Sequence, residues 1–138
     1  MAIVRDIMTT KVVSIYNDQT LFHARQLMKE HGVRHLPVVD RNELICGLLT
    51  QKGILADALK SVEKVGVNRL SEIEKATRVD SVMDGSFAVV EPDTDLIVAG
   101  QYFIDNKHGC LPVVERQVLV GIISSVDFVK LAIRFLEK

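Results

Sequence analysis

The chain has 138 residues, 48% of them hydrophobic and 25% charged, the balance of one soluble globular domain of ordinary size. Lys and Arg number 17 against 18 Asp and Glu, and the net charge of -1 excludes binding to DNA, RNA or an anionic membrane through overall charge. No apolar run reaches the roughly 18 residues of a membrane span, and MAIVRDIMTT carries Arg5 and Asp6 instead of an apolar signal core, so a cytoplasmic location is expected.

Internal duplication organises everything that follows. Sliding the sequence by 75 positions sets residues 21–44 on 96–119, with nine of those 24 positions identical. They are Leu21/Leu96, Ala24/Ala99, Gln26/Gln101, the Leu-Pro-Val-Val blocks at 36–39 and 111–114, Arg41/Arg116 and Leu44/Leu119. Met8 pairs with Met83 at the same offset. One residue then drops out, and GLLTQKGI (47–54) falls on GIISSVDF (121–128) at offset 74. The pattern divides the chain into a first repeat over 1–62, a connector over 63–78 and a second repeat over 79–138.

In chain order, VVSI (12–15) and FAVV (87–90) read as short strands opening the two copies. Helices follow, because Leu21, Ala24, Leu27 and Met28 recur at helical spacing, as do Leu96, Ala99, Tyr102 and Phe103. Gly32 is placed to close the first helix, and Gly109 lies just beyond the second. LPVVD and LPVVE are expected as buried strands, since Val-Val runs without alternation suit sheets covered by helices. Tight turns at Arg41-Asn42 and Arg116-Gln117 lead into LICGLL and LVGII, a hairpin in each copy.

Thr50 and Ser124 or Ser125 are N-cap candidates for closing helices over 51–62 and 126–136. Between the copies, Ser71-x-x-Glu74 resembles a capping box opening a short connector helix. Cys46 and Cys110 both lie in apolar strand runs, which predicts buried thiols and no disulfide.

Strand, helix, strand, strand, helix, ending in Gly-Ile-Ile-Ser-Ser-Val-Asp and present twice, resembles the cystathionine-β-synthase (CBS) domain in a tandem pair, or Bateman module. The resemblance covers nearly the whole chain and implies an α/β (α+β) fold of two pseudo-twofold repeats. It also implies a regulatory, adenine-nucleotide-sensing role with AMP, ADP, ATP or S-adenosylmethionine as ligand, and no required cofactor.

Carried over by position, the resemblance implies one site built from Ile122, Ile123, Ser124, Ser125 and Asp127 with Met8, Thr10, Val12, Val13, Val33, Arg34, His35 and Pro37. The chemistry fits independently. An ionised Asp accepts charge-assisted hydrogen bonds from a vicinal diol, and Ser124 and Ser125 at a helix start offer free N–H groups and a positive dipole end to a phosphate. The second site is degenerate: Thr50, Lys52 and His108 remain, but Gly53 occupies the Asp position.

Each of these residues also has a plainer reading. Asp127 serves as a first-turn carboxylate against the helix dipole, Ser124 and Ser125 as caps, and Arg34-His35 as an exposed basic pair. His31 and His35 have the four-residue spacing of metal ligands on a helix, but Gly32 breaks the helix between them and no zinc site is expected. Gly-x-Ser-x-Gly, a P-loop and apolar-framed carboxylate pairs are all missing, so no catalytic residue is assigned and no enzyme is expected. The closing helix carries Phe128, Leu131, Ala132, Phe135 and Leu136, more apolar surface than one small core absorbs, which points to a homodimer. The family precedent adds an unidentified regulated partner protein, with the connector as a candidate output element. The alternative is a structural protein-interaction module whose clefts hold no small molecule.

Overall fold

In the computed structural model, which describes residues 2–106 and 109–137, the first copy consists of β1 (Ile15–Tyr16), α1 (Leu21–His31), β2 (His35–Val39), β3 (Ile45–Thr50) and α2 (Gln51–Val65). The connector forms α3 (Leu70–Ala76), and the second copy supplies α4 (Leu96–Asp105), β4 (Cys110–Glu115), β5 (Val118–Ser124) and α5 (Ser125–Leu136). Packing divides this chain differently from the repeat. Residues 1–12 group with 88–138 in one unit, and residues 13–87 form the other.

In the 13–87 unit, β2 pairs parallel with β1 and antiparallel with β3. Leu21, Ala24 and Met28 of α1 close over Leu36, Val38 and Leu49, with Ile54 and Val79 completing the core. Thr20 Oγ1 starts α1 by accepting from His23 N–H. Gly32 ends it at φ 64, and Val33 N–H donates to Met28 O at 3.0 Å, the left-handed C-cap that glycine permits. The turn Val79–Ser81 belongs to this unit and is tied down by Val79 N–H to Gln19 O and Asp80 N–H to Asn17 O.

The other unit repeats that scheme with the leading segment of the chain. Val4–Asp6 forms the same tight turn, Val4 N–H donates to Thr94 O, and Arg5 N–H donates to Pro92 O. Val4, Leu96, Ala99, Leu111, Val113 and Ile123 are its core. Its opening strand, expected over 87–90, shrinks to one parallel bridge, Val90 to Val113. The reason is Pro92, which lacks the N–H that its counterpart Asn17 donates to Val39 O.

The residue lost between copies falls in the hairpin turn. Arg116 and Gln117, both at positive φ, make a two-residue loop between Glu115 and Val118, whereas the first copy closes Asp40 on Leu44 around a three-residue loop with Glu43 at φ 66. The Leu44/Leu119 identity is therefore a coincidence of alignment. Leu119 faces Val114 as Ile45 faces Val39, while Leu44 stands one place earlier, closing the loop on Asp40.

Two helix boundaries depart from expectation. α2 runs three residues past Val62, to Val65, before Gly66 at φ 86 stops it. α3 begins at Leu70 behind Arg69, which makes no side-chain cap, so Ser71 lies inside the helix and opens no capping box. Glu74 instead turns inward and pairs with Arg25 Nη1 at 2.6 Å.

Candidate functional site

Where β5 passes into α5, alternation along the strand sends Ile122 and Ile123 to opposite faces. Ile123 is fully buried in the core, so it supplies no wall to a ligand; Ile122 stays half-buried. Ser124 is the N-cap, with φ -133 and ψ 165, and Ser125 is the exposed first residue of the helix. Three residues on, Asp127 folds back: its Oδ2 accepts Ser124 N–H at 2.8 Å and Ser124 Oγ–H at 3.2 Å. This is the returning half of a capping box. An ionised carboxylate has about four acceptor positions, so two remain after Ser124, the number a vicinal diol needs. Capping and diol recognition are compatible at one residue.

The leading segment of the chain lies along this junction. Thr9 N–H donates to Ile122 O and Ile122 N–H to Thr9 O, both at 2.9 Å. Gly121 allows the approach, since a Cβ there would stand 2.8 Å from Met8 Sδ and 3.0 Å from Thr9 O. One packing unit thus contains Met8, Thr10, Val12, Ile122, Ser124, Ser125 and Asp127. Thr9 escapes sequence reasoning because it acts through its backbone. Asp127 also lines a cavity of about 480 Å³ with Lys130, Arg134 and Glu137, two carboxylates against two cations. Their signal was available, as i+3, i+7 and i+10 place them on the aspartate's side of the helix.

Val13, Val33, Arg34, His35 and Pro37 belong to the 13–87 unit. Val13 and Val33 pack half-buried against its core. Pro37 is fully buried opposite Leu48, so its ring is not a ligand wall. Arg34 is exposed and its carbonyl accepts Gln51 N–H at 2.9 Å. His35 stands across from Thr50, and burial, then the charge of Arg34, lowers its imidazole below the ordinary histidine range.

Around the start of α2, Thr50 Oγ1 accepts Gly53 N–H at 2.9 Å, the expected cap. Lys52 is exposed and no acidic residue stands in that first turn. His108 lies outside the described residues. The backbone scheme is nonetheless that of α5: Leu48 exchanges hydrogen bonds with Asp84, and a Cβ on Gly47 would collide with Met83 as one on Gly121 would with Met8.

The cysteines are free; Cys110 is buried as expected, whereas Cys46 is only half-buried. Burial pushes the Cys110 thiol up to about 12; Cys46, 3.5 Å from Val38 O, is raised by burial and then by Asp40 and Asp80. Neither is a thiolate at neutral pH. Gly32 separates His31, on α1, from His35, on β2. Among the described residues no three His, Cys, Asp or Glu side chains are grouped to hold a metal ion. No described helix is long and apolar enough to cross a membrane.

Comparison with known proteins agrees with this architecture. The CBS domain model matches residues 4–60 and 79–134. The CBS domain-containing protein YhcV of Bacillus subtilis is 32% identical over 127 residues, covering 92% of this chain and 83% of YhcV. AcuB from Vibrio cholerae, whose structure is described under acetoin utilization, is 35% identical with a TM-score of 0.84, over 99% of this chain and 94% of AcuB. CBSX2 of Arabidopsis thaliana, solved in complex with AMP, is 26% identical with a TM-score of 0.82, over 99% of both chains. With two matches that together span most of its length, the chain belongs to the CBS domain family and carries the domain twice.

Proposed function

We propose that the protein is a regulatory module that binds an adenosine-containing ligand, AMP, ADP, ATP or S-adenosylmethionine, with Asp127 as the ribose anchor. The observation that carries this reading is the Asp127 carboxylate. It is held in place by Ser124, keeps two acceptor positions and lies beside the polar start of α5. The AMP bound by CBSX2 supports the ligand class. Ligand occupancy is read out by association, as a homodimer and with a regulated partner, and not by turnover. The site at Thr50, Lys52 and His108 is weak, because Gly53 supplies no carboxylate.

Thermal unfolding against a panel of the four ligands tests this. At a hundred times its dissociation constant a ligand adds about 2.7 kcal/mol, raising the midpoint by roughly 10 °C for a chain of this size. Asp127→Asn keeps an oxygen for Ser124 but loses the charge, and is expected to abolish most of that rise. A panel that shifts nothing, or an Asn variant that binds as well as the parent, refutes the assignment. The protein would then be an interaction module without a small-molecule ligand.

A further inference from the structure

We propose that the adenosine-containing ligand carries an amino acid at its 5′ end, and that Lys130, Arg134 and Glu137 of α5 recognise that amino acid. Of the four ligands named above this selects S-adenosylmethionine. The inference rests on the proposed function, with Asp127 as ribose anchor, and adds what lies beyond the ribose.

The cavity of about 480 Å³ that Asp127 lines follows one side of α5, with Lys130, Ile133, Arg134 and Glu137 of that helix and Ile7 of the leading segment. Positions 127, 130, 134 and 137 succeed one another at steps of three and four residues, which makes them one stripe. Its charges run minus, plus, plus, minus. Among the described residues none of the four makes an ion pair. Lys130 and Arg134 stand one turn apart, a like-charge spacing that disfavours a helix. The stripe thus holds charges that the fold itself does not neutralise.

The sister helix is the control. At the same steps α2 has Gly53, Ala56, Lys60 and Glu63. It is capped by Thr50 and runs its full length with neither a carboxylate at 53 nor a cation at 56, so the backbone demands neither Asp127 nor Lys130. The two are missing together from the copy that lacks the ribose anchor, as expected of residues that serve one ligand.

With a diol on Asp127, two cations and one carboxylate remain. A polyphosphate brings negative charge alone and would set it against Asp127 and Glu137, a like-charge juxtaposition that discriminates against ATP. An amino acid brings both signs. Its carboxylate suits Lys130 and Arg134, which can share its two oxygens, and its ammonium suits Glu137. Ile7 and Ile133, on the same cavity, suit the methylenes between the sulfur and the α-carbon.

S-adenosylhomocysteine and 5′-methylthioadenosine share the adenosine and a 5′ thioether and differ by the amino acid, so titration calorimetry of the full chain with each isolates the stripe. S-adenosylhomocysteine is expected to bind about tenfold more tightly, the share of two solvent-facing ion pairs. Lys130→Ala, which installs the α2 residue, and Glu137→Gln, both at exposed positions, are each expected to remove about threefold of that preference. Unchanged binding of 5′-methylthioadenosine by these variants checks that they fold. Equal affinities in the parent, a preference that survives both substitutions, or ATP binding more tightly than S-adenosylhomocysteine overturns the assignment. Asp127→Asn tests the reading beneath it: if that variant loses 5′-methylthioadenosine, the ribose anchor stands even where the two probes bind the parent alike. A parent that binds none of the three overturns both.

Discussion

Replacing Gly53 by aspartate would give α2 the carboxylate that α5 has in Asp127, and the two helix starts are alike enough for the consequence to be worked out. Gly53 is not at a positive φ, and an added Cβ meets only Thr50 Oγ1, at 3.2 Å. That hydroxyl corresponds to Ser124 Oγ, which Asp127 engages at 3.2 Å in the other copy. A small rotation of Thr50 relieves the contact. Removing glycine from a helix gains about 0.3 kcal/mol when Asp replaces it, a carboxylate in the first turn adds about 0.3–1 kcal/mol against the helix dipole, and completing the capping box adds about 0.5–1 kcal/mol. The net expectation is about 1–2 kcal/mol, or roughly 3–7 °C in the unfolding midpoint. Calorimetric unfolding without ligand measures it, and a midpoint that stays or falls refutes the capping argument. Titration calorimetry with AMP addresses the ligand: one tight site per parent chain should become two in Gly53→Asp. If the stabilised variant still binds one, a carboxylate three residues past the N-cap does not mark an occupied site.

Two further outcomes test the structure itself. Glu74 is 4% exposed, with Arg25 on one oxygen and no partner on the other among the described residues; Arg25→Ala should cost about 3 kcal/mol by stranding a buried carboxylate, whereas Glu74→Leu should be nearly neutral in chemical denaturation, and equal losses would refute the reading. Burial and Arg34 lower the His35 pKa in the folded chain, so the unfolded chain binds more protons below its own value of about 6.5; stability is full above that pH and falls as pH drops through it. His35→Gln should flatten that acid slope, and an unchanged slope would place its origin elsewhere.

How much of this was legible in the sequence follows from what each residue does. The Leu-Pro-Val-Val blocks announced β2 and β4 because a strand buried on both faces needs unbroken apolar residues. Gly32 and Thr50 announced helix ends because a left-handed turn and a free amide each demand a particular residue type. Long-range pairing left no such trace. The hydrogen bonds between Thr9 and Ile122, and between Asp84 and Leu48, are made by backbone alone, so sequence does not reveal which segment docks on which hairpin. The full burial of Ile123 and Pro37 is not legible for a related reason: in a short apolar run, composition does not say which alternate residue faces the core. Ser71-x-x-Glu74 had the letters of a capping box, but burying Glu74 against Arg25 stabilised a different helix start.

The duplication separates fold from function with unusual economy, because each copy is the other's control. Val4 and Val79, both fully buried, and Met8 and Met83, each beside a glycine of the following hairpin, fill equivalent places in the two copies. What matches there is what the architecture requires. A residue that differs between equivalent places is one the backbone does not demand. Asp127 against Gly53 is such a pair, since α2 is capped by Thr50 and folds without the carboxylate. Ile104 against Lys29 is another, since both helices pack on their sheets through Leu and Ala, and neither residue belongs to the core. The two differences fall on different helices, one at the start of α5 and one on α4. Neither Asp127 nor Ile104 belongs to the core of its repeat. On the function proposed above, the Asp127 carboxylate serves a small polar ligand, and the Asp127→Asn and Gly53→Asp variants separate that role from its part in the cap.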